Sequence, residues 1–102
     1  MRVYKVEVAP TAKADVDELA DFLFDNMSRE AAYRYLDTIG FEMQSLAVYA
    51  DCFAESRSIT IKQVHPRARR MVSHNRKWIY VFHLEGDTAV IDRVLKASMI
   101  TR

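Results

Sequence analysis

Glycine and proline are scarce in this chain, with two of each in 102 residues. With glycine only at Gly40 and Gly86, no glycine-rich loop can cradle a phosphate. The G-x-G-x-x-G, Walker and nucleophile-elbow patterns are all missing. The one cysteine, Cys52, cannot form an internal disulfide and reads as small apolar filler in a reducing compartment. No apolar run approaches the ~20 residues of a membrane span. The opening Met1–Val8 alternates and does not form the apolar block of a secretion signal. His65, His74 and His83 stand nine apart, ungrouped with Cys or acids at ligand spacing, so neither a metal nor a cofactor is expected. A soluble, single cytoplasmic domain over residues 1–102 is the expectation.

Acids are missing from one long stretch. Ser56 to Leu84 holds seven bases (Arg57, Lys62, Arg67, Arg69, Arg70, Arg76, Lys77) and all three histidines, with no Asp or Glu. Residues 1–55 show the reverse, eleven acids against five bases. A formal charge of +1 therefore hides an acidic front half and a basic back half. Such segregation points to an anionic partner, either nucleic acid or an acidic protein segment.

What is present is well patterned. Residues 3–8 alternate as a half-buried strand that Pro10 stops, and Thr11 reads as a helix N-cap. Val16, Leu19, Ala20, Leu23 and Met27 form one helical stripe from Ala12 to about Met27, and Phe22 and Phe24 widen it. Ser28 reads as the cap of a second helix with the seam Ala32, Leu36, Ile39, Met43, Leu46, Ala50, antiparallel to the first. Gly40 inside it costs about 1 kcal/mol against alanine, which suggests close approach of another element. Residues 51–66 have no clear pattern; Ile59-Thr60-Ile61 reads as a short strand or as anchors in a loop.

Arg67–Ser73, Lys77–Leu84 and Thr88–Leu95 read as strands, with His74-Asn75-Arg76 and Glu85-Gly86-Asp87 as turns. Along the middle strand Trp78, Tyr80, Phe82 and Leu84 share one face and Ile79, Val81 and His83 the other. Both faces are apolar, so both must be covered. A helical hairpin covers one; the 51–66 loop or a partner covers the other. Arg69 and Arg70 point to opposite sides, and Arg93 is expected to face the same way as Ile91 and Leu95 with a carboxylate or phosphate to pair with. His83 reads as a hydrogen-bonded core histidine and His74 as a solvated turn residue. The order is β-α-α-β-β-β, an α+β fold with an antiparallel sheet and the helical hairpin on one face.

The stretches Arg69-Arg70-Met71-Val72, Trp78–Asp87 and Val90–Met99 together resemble the C-terminal half of RelE/ParE-type toxins of bacterial toxin–antitoxin modules. Ala12-x-Ala14-Asp15-Val16-x-x-Leu19-Ala20-x-Phe22-Leu23 resembles that family's first helix, and Ala31-Ala32 fits the start of the second. The resemblance implies a toxin neutralised by a cognate ParD-like antitoxin, an initially disordered segment of which folds along the toxin's surface. It implies contact with operator DNA only through that antitoxin, and no membrane. The apolar residues Trp78, Tyr80 and Phe82 with the cations Arg70 and Arg76 are the expected antitoxin contacts.

RelE-like members cut ribosome-bound messenger with acid–base groups near the end of the last strand, whereas ParE-like members inhibit DNA gyrase by binding. Here that segment is Lys96-Ala97-Ser98-Met99-Ile100-Thr101-Arg102, with no Tyr, His or Glu. It is more similar to the ParE side, although a histidine commonly stands at the Lys96 position. The expectation is gyrase inhibition, with Arg93, Lys96 and Arg102 as target-binding cations and no catalytic residue identified. Messenger cleavage is the alternative; it needs a base, and a guanidinium is a poor one, which leaves Lys62, Lys77, Lys96 and His74.

Overall fold

The fold, seen in a computed structural model that describes residues 2–99, is a four-stranded sheet with helices on one face and a short helical cover on the other. Strand β1 (Lys5–Val8) leads directly into helix α1 (Pro10–Asn26) and helix α2 (Arg29–Tyr49). A single 3-10 turn, Ala50–Cys52, and a four-residue helix α3 (Ile59–Lys62) follow. Strands β2 (Arg69–Val72), β3 (Trp78–Glu85) and β4 (Thr88–Lys96) complete the sheet, and a second 3-10 turn spans Ala97–Met99. Strand order is β1-β4-β3-β2.

The three C-terminal strands form the expected antiparallel meander. One edge departs from a wholly antiparallel sheet: β1 runs parallel to β4, Lys5 opposite Thr88 through Val8 opposite Ile91. The sheet is therefore mixed. Parallel pairing is possible because the whole helical hairpin lies between β1 and the rest of the sheet, giving the chain the length to cross over. Gly86 opens the β3–β4 turn at φ 60, a conformation glycine adopts freely.

Each helix begins where local chemistry allows. Proline starts α1, where its missing N–H costs nothing. Ser28 caps α2 by accepting from the Ala31 N–H, as expected. The N-cap of α1 is Ala9, not Thr11. The seam of α2 is the one expected: Ala32, Ile39, Leu46 and Ala50 are buried and Leu36 and Met43 half-buried. Gly40 is not explained by close approach, because a Cβ there would meet nothing within 4 Å.

Two apolar clusters sandwich β3. The larger gathers Tyr4, Ala12, Ile39, Leu46, Met71, Trp78, Tyr80, Phe82, Ile91 and Val94 under the helices. The smaller gathers Ile61, Ala68, Ile79 and Val81, with Val64 and Leu95 packed against it. The second sheet face is thus covered by the chain's own 51–68 segment. Burying each large side chain contributes about 1.5–3 kcal/mol, so both clusters hold the fold.

Candidate target and partner surfaces

β4 is longer than its neighbour β1, so its edge from Asp92 onward would be bare. Helix α1 seals it. The Ala9 N–H donates to the Ile91 carbonyl at 2.9 Å and the Thr11 hydroxyl donates to the Asp92 carbonyl at 2.6 Å. Asp15 Oδ2 accepts from the Val94 N–H at 2.9 Å. Thr11 thus serves the strand edge instead of capping its own helix. The same carboxylate takes the Arg93 guanidinium in a fork, Nε at 2.7 Å and Nη2 at 3.0 Å. That hydrogen bond, acting against burial, raises the Arg93 pKa and keeps it a fixed cation.

Arg93 has the carboxylate partner its surroundings require, but its orientation differs from expectation. A β-bulge puts Val81 opposite Arg93 and Phe82 opposite Ile91, leaving Asp92 as the extra residue. Ile91 and Val94 consequently join the larger cluster while Leu95 packs on the smaller. Arg93 shares a side with Leu95 and not with Ile91.

Lys96, at the end of β4, is exposed, and its Nζ stands 4.9 Å over the Phe22 ring. Phe22 and Lys96 flank a groove of about 400 Å³ floored by Leu19, Trp78, Val94 and Leu95. Asp15, Glu18 and Arg93 complete its lining, so the groove is apolar below and mixed in charge at the rim. Phe22, which widens the apolar stripe of α1, is half exposed at this mouth. Of the three expected target-binding cations, Arg93 is held by Asp15 and Lys96 is presented to solvent. Arg102 lies outside the described residues.

The expected partner surface divides differently. Trp78, Tyr80 and Phe82 are 5%, 0% and 0% exposed, so they are core residues beneath the hairpin and not partner contacts in this conformation. Tyr80 donates to Glu42 Oε1 at 2.7 Å and accepts from Trp78 Nε1 at 3.1 Å; burial, then the Glu42 hydrogen bond, raises its pKa. Arg70 and Arg76 are exposed. Arg76 holds a φ of 64 in the β2–β3 turn, stabilised by Asn75 Oδ1, which accepts from Ser73 Oγ and the Lys77 N–H.

One titratable cluster was not anticipated as a cluster. His83 Nδ1 lies 2.6 Å from Asp92 Oδ2 and its Nε2 3.3 Å from Glu85 Oε2. The His65 ring stacks on it, centroids 3.8 Å apart and planes within 1°. Burial opposes charge on His83, but Asp92 and then Glu85 outweigh it and raise its pKa. Both ring nitrogens face carboxylates and the side chain is 10% exposed, which suits a structural role as a satisfied core histidine. The bulge brings Asp92 to it, and bulges leave no mark on a sequence pattern.

Of the candidate bases, Lys96 at the end of β4 stands over the Phe22 ring. Lys62 belongs to the helix covering the second face, whereas Lys77 Nζ lies 5.7 Å from the Tyr35 ring on the hairpin side. They stand on opposite faces of the sheet and cannot form one acid–base pair. Among the described residues, no group of three His, Cys, Asp or Glu could hold a metal ion. No described helix is long and apolar enough to cross a membrane.

The family model for the ParE toxin of the type II toxin–antitoxin system parDE matches residues 6–101. The chain belongs to the ParE toxin family. Comparison with curated proteins gives no significant match. Among solved structures, a chain of the chromosomal ParDE toxin–antitoxin system from P. aeruginosa is similar in fold, with a TM-score of 0.77 and 19% identity. That likeness covers 92% of this chain and 96% of the other. Membership accounts for the β-α-α-β-β-β order and for the late strand pair, the parts of the ParE toxin pattern most visible in the sequence.

Proposed function

We propose that this ParE-family toxin inhibits DNA gyrase by binding, acts in the cytoplasm, and is neutralised by a cognate ParD-like antitoxin. The observation that carries this reading is the end of β4, where, among the described residues, no His or Tyr joins the cations Arg93 and Lys96 in the groove. Arg93 is fixed on Asp15, and Lys96 stands beside the exposed Phe22 ring at the mouth of an apolar groove. A cation beside an aromatic side chain and an apolar floor suits recognition of a protein surface. Cleavage of a ribose-phosphate backbone would need a general base and acid within reach of one another. Arg93, Lys96 and, from sequence, Arg102 remain the proposed target-side cations, with Lys96 as the one that contacts the target directly.

Point substitution tests this better than truncation after Leu95, because Lys96 is paired with Trp78 within the sheet. The Lys96→Glu variant should fold normally and lose about tenfold or more in inhibition of gyrase supercoiling, as expected for a charged contact at an interface. Wild-type protein should stall DNA cleavage complexes and leave ribosome-bound messenger intact in primer extension. Codon-spaced messenger cleavage with unaffected supercoiling would overturn this reading in favour of the endonuclease.

A further inference from the structure

We propose that the cleft between Arg57 and Arg70 is a binding site for side-chain carboxylates of an acidic polypeptide. Naming that polypeptide as the neutralising antitoxin rests on the function proposed above; the carboxylate chemistry does not.

The cleft, of about 580 Å³, is lined by residues 52–58 and by Arg70. Its loop is pinned from several directions. The Ser56 N–H donates to the Ala68 carbonyl at 2.7 Å, Arg69 Nη1 donates to the Phe53 carbonyl at 2.7 Å, and Glu55 bridges Arg69 as a strand partner. The Phe53 ring meets Phe82 edge-on with centroids 6.0 Å apart, which roots the loop in the larger cluster. A loop held this way presents its side chains without a large ordering cost on binding.

Charge in the cleft is unbalanced. Glu55 is the one carboxylate in the lining, and Arg67 already holds it, Nε and Nη2 each 3.1 Å from Oε2. Arg69 does not line the cleft; its Nη1 is taken up by the Phe53 carbonyl behind it. Arg57 and Arg70 are exposed and have no side-chain partner among the described residues. Two unpartnered guanidiniums at the walls of a preformed cleft match planar, bidentate carboxylates.

A peptide fits better than a nucleic acid because the basic half of the chain does not form a continuous track. Arg93 is on Asp15, Lys96 over Phe22, Lys77 over Tyr35 and Arg67 on Glu55. Affinity for a polyphosphate backbone grows with the number of cations along its path, whereas a carboxylate side chain needs only the local pair.

The test titrates the isotope-labelled protein with a capped peptide of alternating glutamate and leucine, following the arginine Nε–Hε signals by NMR. Arg57 and Arg70 should shift together, and the Arg57→Ala/Arg70→Ala variant should bind about tenfold more weakly, as expected for charge-assisted hydrogen bonds. Lys62→Ala, which removes equal charge per site elsewhere, should change affinity by less than about twofold. Equal weakening by Lys62→Ala, or the same shifts from a single-stranded oligodeoxynucleotide at equal concentration, would overturn the proposal. A second arm uses the antitoxin encoded beside the toxin gene. If it binds wild type and double variant equally, the site is wrong and the toxin–antitoxin reading survives. If it binds neither while the peptide still depends on both arginines, the carboxylate site stands and that reading falls.

Discussion

The two faces of the sheet are buried equally well by very unequal amounts of structure. On one face α1 and α2, 17 and 21 residues long, cover Tyr80 and Phe82. On the other, the four-residue α3 and its flanking loop cover Ile79 and Val81. Ile61 and Ala68, both 0% exposed, close that second face together with the half-buried Val64. A strand that is apolar on both sides therefore need not signal a waiting partner. One isoleucine anchored by a helical turn can take the partner's place, so a partner surface is better sought among exposed, unpartnered groups such as Arg70.

The comparison predicts unequal resilience. Phe82→Ala should destabilise the protein by about 3–5 kcal/mol and Ile61→Ala by about 2–5 kcal/mol. The two should differ in kind as well as size. Short helices are stabilised by tertiary packing and not by their own propensity. Loss of Ile61 should therefore open the 59–68 segment locally, while loss of Phe82 should weaken the whole fold. Hydrogen exchange on the two variants separates these outcomes: fast exchange confined to the α3 side in Ile61→Ala, and uniform loss of protection in Phe82→Ala. Uniform loss in both would mean the faces form one cooperative unit, and the contrast would collapse.

The second face should also be the pH-sensitive one. His83 is tied to Asp92 and Glu85 and stacked on His65 from the covering loop, with Arg67 and its partner Glu55 beyond. Its pKa is raised in the fold, so the folded state binds that proton more tightly than the unfolded one. The resulting stability is fully present below the ordinary imidazole pKa of about 6.5. It is lost as pH rises through the raised folded value. Urea midpoints should therefore fall between mildly acidic and mildly alkaline pH, and His83→Gln should flatten that slope. An unchanged slope in His83→Gln would assign the dependence elsewhere.

What could be read from the sequence follows from how local each cause is. The Ser28 cap, the α2 seam and the Gly86 turn depend on residues within a few positions of one another, and all are present. The cover over Ile79 and Val81 depends on a helix of one turn, too short to show a period. The parallel placement of β1 and the bulge at Asp92 depend on contacts some 80 residues apart, such as Asp15 with Val94 and Arg93. The basic stretch was visible as composition and the opposite facing of Arg69 and Arg70 as alternation, but the pairing of Arg67 with Glu55 was not. Burial of Trp78, Tyr80 and Phe82 was predictable; which cover they lay under was not.

The smallest predicted effect bears on the face under the long helices. Gly40 lies in the middle of α2, half-buried, and a Cβ there would meet nothing within 4 Å. Alanine is favoured over glycine in a helix interior by about 1 kcal/mol, largely because glycine's unfolded state is freer. Gly40→Ala should therefore stabilise the isolated toxin by up to about 1 kcal/mol, raising its denaturation midpoint and widening the difference between the two faces. A loss of stability would mean that the open space beside Gly40 is closed in solution. The same variant has a second use. If it stabilises the toxin yet weakens its complex with the antitoxin, the glycine is kept for close approach by a partner along the outer side of α2. If stability rises and binding is untouched, α2 serves the first face alone, and partner contacts belong to the cleft at Arg57 and Arg70 and the groove at Lys96.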